Sequence, residues 1–205
     1  IPGGSGVVNQ RLRARFSEAD WLSEQMHGIS HLFFLRILIG IIDTNWPEVL
    51  EKLETLLHHL VNRTTMLVNV TLDRDNWQAF EPILTVFVEN MPHQTAESQP
   101  KWSLSQEDQS QTNEGLTIPA QVNYVGKGAN LYKLGYKAHG SVHVINNYLQ
   151  TTWLWEKIRV QGGAYGGHSG FDIHSGIFTY VSYRDPTLLA SLDTYDATAG
   201  LLRSL

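Results

Sequence analysis

The chain has 205 residues, 42% of them apolar and 17% charged, which is enough material for one large globular domain or two small ones and too apolar for a disordered chain. Its net charge of -5 comes from scattered acidic and basic residues, so no basic patch is offered to nucleic acid or to an anionic membrane surface. The lack of cysteine excludes a disulfide scaffold, a thiolate metal site and a cysteine nucleophile, and leaves the compartment open.

From Ser17 to about Ile42 the apolar residues recur at helical spacing, with Trp21, Leu22, Met26, Ile29, Leu32, Phe33, Leu35, Ile37 and Leu38 among them. This predicts a largely buried helix opened by Ser17 with Asp20 and interrupted near Gly28. Its longest apolar stretch, Leu32 to Ile42, is broken by Arg36 and is too short to span a bilayer, so a soluble protein is expected. Asn45-Trp46-Pro47-Glu48 reads as a second helix start, with Asn45 as the cap and Leu50, Leu53, Leu57 and Leu60 along one face to about Asn62. Thr65 to Leu72 alternates as a half-buried strand does. Asp75 or Asn76 then caps a third helix through Phe80, Ile83, Leu84, Phe87, Val88 and Met91, ending at Pro92.

Residues 93–115 are polar, with Trp102 and Leu104 as the large apolar exceptions, and mark the expected domain boundary. Beyond them, a strand is expected over Thr117 to Val125 and a helix over Ser141 to Lys157, with Val142, Ile145, Leu149 and Trp153 inward. Two strands, Ala164 to Phe171 and Ile177 to Arg184, and a helix begun by Asp185-Pro186 follow. Strands and helices mix without strict alternation, so the fold class is α+β, with helices packed on a mostly antiparallel sheet. The chain opens on Ile1 rather than Met and stops at Leu205 within an apolar helical pattern; we read it as a piece of a longer protein holding two partial domains.

Two features carry chemistry. His27 and His31 are one helical turn apart, as in a zinc-peptidase His-x-x-Glu-His pattern, but Ser30 stands where the general-base carboxylate is needed. A surface or core role is expected for these and the other histidines. The second feature is Gln161-Gly162-Gly163-Ala164-Tyr165-Gly166-Gly167, with four glycines in six residues. A phosphate loop follows a strand and opens a helix, whereas this run follows a helix, whose C-terminal end is electronegative, and enters a strand. A helix cap with a sharp turn remains one reading. In the other, bare backbone at Gly162, Gly163, Ala164 and Gly166 lets an extended peptide dock through main-chain hydrogen bonds. Arg159 and Tyr165 flank that surface, and they supply a fork for a carbonyl or carboxylate and a donor for an oxyanion.

The stretch from Tyr148 to Gly167, with Ser175-Gly176-Ile177-Phe178-Thr179-Tyr180-Val181-Ser182-Tyr183-Arg184-Asp185-Pro186, resembles the presequence protease and falcilysin branch of the pitrilysin family of zinc metallopeptidases. Trp21 to Ser30 and Leu67 to Thr71 are similar to that family's third domain. The resemblance implies four α+β domains enclosing a chamber for short unstructured peptides, with zinc held in the first by a His-x-x-Glu-His motif. On this basis residues 1–92 are expected to close the third domain, 93–115 to link, and 116–205 to open the fourth. The zinc ligands are expected outside this chain, in the N-terminal half of the same protein. Tyr165 and Arg159 match the fourth-domain Tyr and Arg, which implies oxyanion stabilisation and grip on the substrate backbone. A bacterial intracellular, matrix or stromal location is implied. The alternatives are a non-catalytic peptide-binding or structural pitrilysin-fold module, and an independent metal-binding domain built on His27 and His31.

Overall fold

The computed structural model describes residues 3–93 and 113–205. The predicted linker, residues 93–115, lies for the most part outside them. The chain divides into two compact units, Ile1–Phe34 with Leu104–Leu205, and Leu35–Ser103. The described residues form seven α-helices, a π-helical segment and a three-stranded antiparallel sheet, an α+β fold.

In the first unit, α1 (Gly4–Arg13) and α2 (Glu18–His27) precede the sheet strands β1 (Gly126–Asn130), β2 (Gly166–Asp172) and β3 (Ile177–Tyr183). The order is β1-β3-β2, so β3 is central. It pairs Val181 with Gly126 on one side and Tyr183 with Gly166 on the other. The near-continuous β-branched and aromatic run Ile177-Phe178-Thr179-Tyr180-Val181-Ser182-Tyr183, buried or half-buried at every position, explains that central place. The helix α1 lies against one face. A Cβ on Gly126 would stand 2.4 Å from Val8 Cγ1, so β1 needs glycine there to let the helix approach. On the other face pack α7 (Leu188–Arg203) and a continuous helix made of α6 (Ser141–Tyr148) and the π-helical segment Leu149–Gln161. Val125, Leu154, Ile158, Ala164 and Tyr195 form the core there, with Trp153, Tyr180 and Leu192 against it.

Several expectations are corrected. The strand expected over Thr117 to Val125 forms later, at Gly126–Asn130, and only Asn123 bridges, to Asp185. The helix expected to end at Lys157 runs to Gln161, its second half in π geometry. Helix α7 starts at Leu188; Asp185, fully buried, instead accepts bonds from the Thr187 N–H and hydroxyl and from the Ser191 hydroxyl, anchoring the helix entry. Between α2 and α3 (Ile29–Thr44) the chain bends by 42° at Gly28. The buried Glu24 carboxylate causes the break: it accepts the Ile29 and Ser30 N–H groups at 2.9 and 3.2 Å, capping α3, and pairs with Arg11 at 3.1 Å.

Helix α3 buries none of its residues, contrary to the expectation of a largely buried helix; Phe34, Ile37 and Ile39 are exposed. An all-round apolar helix is covered only by neighbours on every side, and the described residues do not supply them. Among the described residues no single helix is long and apolar enough to cross a membrane, although the bent pair α2 and α3 passes together by length and composition.

In the second unit, α4 (Trp46–Leu60) has Pro47 in its first turn, but the Asn45 side chain donates to Glu48 rather than capping. Asp73, not Asp75 or Asn76, caps α5 (Arg74–Glu89), accepting the Asn76 N–H at 2.9 Å. The alternating Thr65 to Leu72 forms no strand. A strand is completed by its ladder partner, and no described strand pairs with it.

Candidate functional site

The π-helical segment delivers the candidate site. A π turn closes on i to i+5 bonds and is wider than an α turn. Its end is closed by Gly163 N–H to Arg159 C=O at 3.1 Å and Ala164 N–H to Ile158 C=O at 3.0 Å. These resemble the two bonds of a Schellman cap, each lengthened by a residue to suit the wider turn. Gly163 sits at φ +75 to make the reversal, a left-handed conformation that costs a side-chain-bearing residue about 1–2 kcal/mol. At Gly162 the constraint is closeness: a Cβ would lie 2.7 Å from the Ile158 oxygen and 2.9 Å from that of Lys157.

The turn ends on Tyr165, one residue before β2, whose N–H joins the sheet through the Tyr183 C=O at 3.0 Å. Tyr165 is 64% exposed. Its ring stands edge-on to Tyr183, 5.6 Å between centroids, and Tyr183 in turn meets Tyr124 at 5.7 Å. Arg159 comes back over the turn: its Nη1 donates to the Tyr165 C=O at 3.0 Å, and its guanidinium lies 5.4 Å from the Tyr165 ring and 4.5 Å from the Trp155 ring. The structure thus brings the two residues singled out from the sequence to one exposed rim. One of the five Arg159 donors is spent on the turn, and no described residue takes the others.

The four remaining candidates fall differently. Gly162 and Gly163 form the turn, and Gly166 opens β2 opposite Tyr183. Ala164 is 4% exposed with its methyl in the core, and its N–H closes the turn, which leaves only its C=O for any ligand. Strand β2 is one of the two edges of the described sheet, and an edge strand is a template for an added extended chain. The Ser169 C=O on that strand already accepts the Gln150 amide at 2.7 Å.

Sequence reading missed the rest of the rim, namely Trp155, Tyr183 and Tyr124, together with Arg184, whose guanidinium lies 5.5 Å from the Tyr183 ring. Arg184 is the non-glycine residue with positive φ among the described residues, at +50. The spacing of four between Trp155 and Arg159 was the available signal.

His27 ends α2 and His31 belongs to α3 across the Gly28 bend, so the expected shared helical face does not form. Among the described residues no group of three or more His, Asp or Glu side chains is placed to hold a metal ion. The described donor set does not fit a zinc site.

Residues 113–205 match the family model for the PreP C-terminal domain. The chain is 41% identical, over 98% of its length, to presequence protease 1, chloroplastic/mitochondrial, of Arabidopsis thaliana. It is 30% identical over 89% of its length to the mitochondrial presequence protease of Saccharomyces cerevisiae, and 28% identical over 82% to protein HypA of Clostridium perfringens. These matches cover 18%, 19% and 17% of the respective relatives, so the chain spans about a fifth of the length of the curated relatives it matches. The fold and the matches define the class through its C-terminal domain, PreP C-terminal. The chain belongs to the presequence-protease family.

Proposed function

We propose that this chain is part of the C-terminal half of a zinc metalloendopeptidase that degrades short, unstructured, presequence-like peptides, to which it contributes oxyanion stabilisation and substrate grip. The observation that carries the reading is the joint placement of Arg159 and Tyr165: a single turn binds the guanidinium to the Tyr165 backbone and leaves the Tyr165 side chain exposed beside it. The metal would supply the activated water and belongs to residues outside this chain, in the N-terminal half of the same protein. What these residues do is separate from it. The Tyr165 hydroxyl donates to the oxygen that gains charge as the amide becomes tetrahedral, and the free Arg159 N–H groups hold neighbouring peptide carbonyls. The carbonyl oxygens of Gly162, Gly163 and Ala164, whose N–H groups close the turn, and the β2 edge from Gly166 receive the extended substrate through main-chain hydrogen bonds.

The names of the relatives support a peptidase acting on presequences, and their chloroplastic and mitochondrial labels support an organellar location. We assign residues 1–92 and 116–205 to the third and fourth pitrilysin-type domains. The test is turnover of a quenched fluorescent peptide by the full-length protein. Tyr165→Phe is expected to lower kcat about 10²- to 10³-fold, the loss seen when one oxyanion donor is removed. Unchanged turnover would favour the structural-module reading.

A further inference from the structure

We propose that Trp155 is a positioning residue for Arg159, stacking under the guanidinium so that its free N–H edges face the substrate; this rests on the peptidase reading above. A π turn is nearly closed by a four-residue step, so Trp155 and Arg159 share one side of the segment. The guanidinium carbon is 4.5 Å from the Trp155 ring centroid, nearer than its 5.4 Å to Tyr165. Packing does not account for this indole. Trp155 is 49% exposed and outside the core, whereas Trp153, two residues earlier, packs against the core and donates its indole N–H to the Thr194 C=O at 3.2 Å. Two further cations are engaged elsewhere: Lys157 lies over Trp153 at 5.6 Å and donates to Gln161 at 3.0 Å, and Arg184 lies over Tyr183 at 5.5 Å.

The physical need is entropic. A long side chain on an exposed helix end loses rotamer freedom when a substrate fixes it. A guanidinium already held by a backbone carbonyl and by ring faces has lost that freedom in advance. Face stacking also leaves the donors unobstructed, because they lie in the guanidinium plane.

The experiment is a double-mutant cycle in the full-length enzyme, reading kcat and KM on a quenched fluorescent peptide for Trp155→Ala, Trp155→Phe, Arg159→Ala and the double variant Trp155→Ala/Arg159→Ala. Trp155→Ala is expected to lower kcat/KM by about two- to thirtyfold, the range for an exposed to partly desolvated cation–π contact. It should move the same parameter that Arg159→Ala moves, Trp155→Phe should recover most of the loss, and Trp155→Ala should cost nothing further once Arg159 is gone. An equal loss in both backgrounds, or no loss in the first, overturns the positioning role while leaving Arg159 in place. If Arg159→Ala itself leaves kcat/KM unchanged, the reading of Arg159 as a substrate-binding group fails, and the positioning role with it.

Discussion

The Gly162-Gly163 turn sets both Arg159 and Tyr165, so adding a single methyl to it tests whether the site depends on that backbone. At Gly163 an added Cβ meets nothing closer than Pro186 Cγ at 3.6 Å, and its cost is the φ of +75 alone, about 1–2 kcal/mol. At Gly162 the φ is ordinary, -80, but the Cβ would lie 2.7 and 2.9 Å from two backbone oxygens. Backbone oxygens cannot rotate aside as a side chain can. The turn must open, at a cost of about 1–3 kcal/mol for strain of this kind. Since 1.4 kcal/mol is tenfold in an equilibrium, Gly163→Ala should speed exchange of the Gly163 and Ala164 amides about five- to thirtyfold, with Gly162→Ala at or above that range. Hydrogen exchange on the full-length protein measures it, with peptide turnover followed in parallel. Wild-type protection together with wild-type turnover in Gly162→Ala would refute the claim that this closure holds the site.

Other consequences follow from the same structure. Leu154 is fully buried in the core beneath the π-helical segment, so Leu154→Ala should cost about 2–5 kcal/mol, read as a lower thermal unfolding midpoint. The Asp172 carboxyl at the end of β2 is held well below the usual carboxylate range by hydrogen bonds from Arg13, the Ser175 hydroxyl and the His174 N–H. A depressed folded pKa gives stability that is present above the unfolded value of about 3.9 and is lost as pH falls through the folded one. The stability gap between wild type and Asp172→Asn should therefore narrow below about pH 4 in an acid unfolding series.

How much of this could be read from the sequence follows from what each element depends on. The central strand β3 was legible because it is a short run rich in β-branched and aromatic residues, buried or half-buried throughout. Strand β1, Gly-Lys-Gly-Ala-Asn, was not: it owes its place to β3 on one side and to the close approach of α1, which only glycine permits. Thr65 to Leu72 shows the reverse, a period-two pattern with no described partner to make it a strand. The π register of Leu149–Gln161 was hidden because Trp153 and Leu154 suit an α pattern as well. At the site, Arg159 and Tyr165 were visible beside four glycines, but the division of labour between Trp153 and Trp155 shows only in the fold, since both stand four residues before a cation. The burial of Ala164 was likewise invisible in a run that reads as open backbone.

The most direct measurement of the central claim compares the full-length enzyme and its Tyr165→Phe variant in binding two ligands of one sequence, an uncleaved peptide and its analogue with a tetrahedral phosphinate at the scissile position. Transition-state stabilisation by the Tyr165 hydroxyl predicts that the variant loses affinity for the analogue while binding the peptide as before. Equal affinity for the analogue with and without the hydroxyl would contradict it.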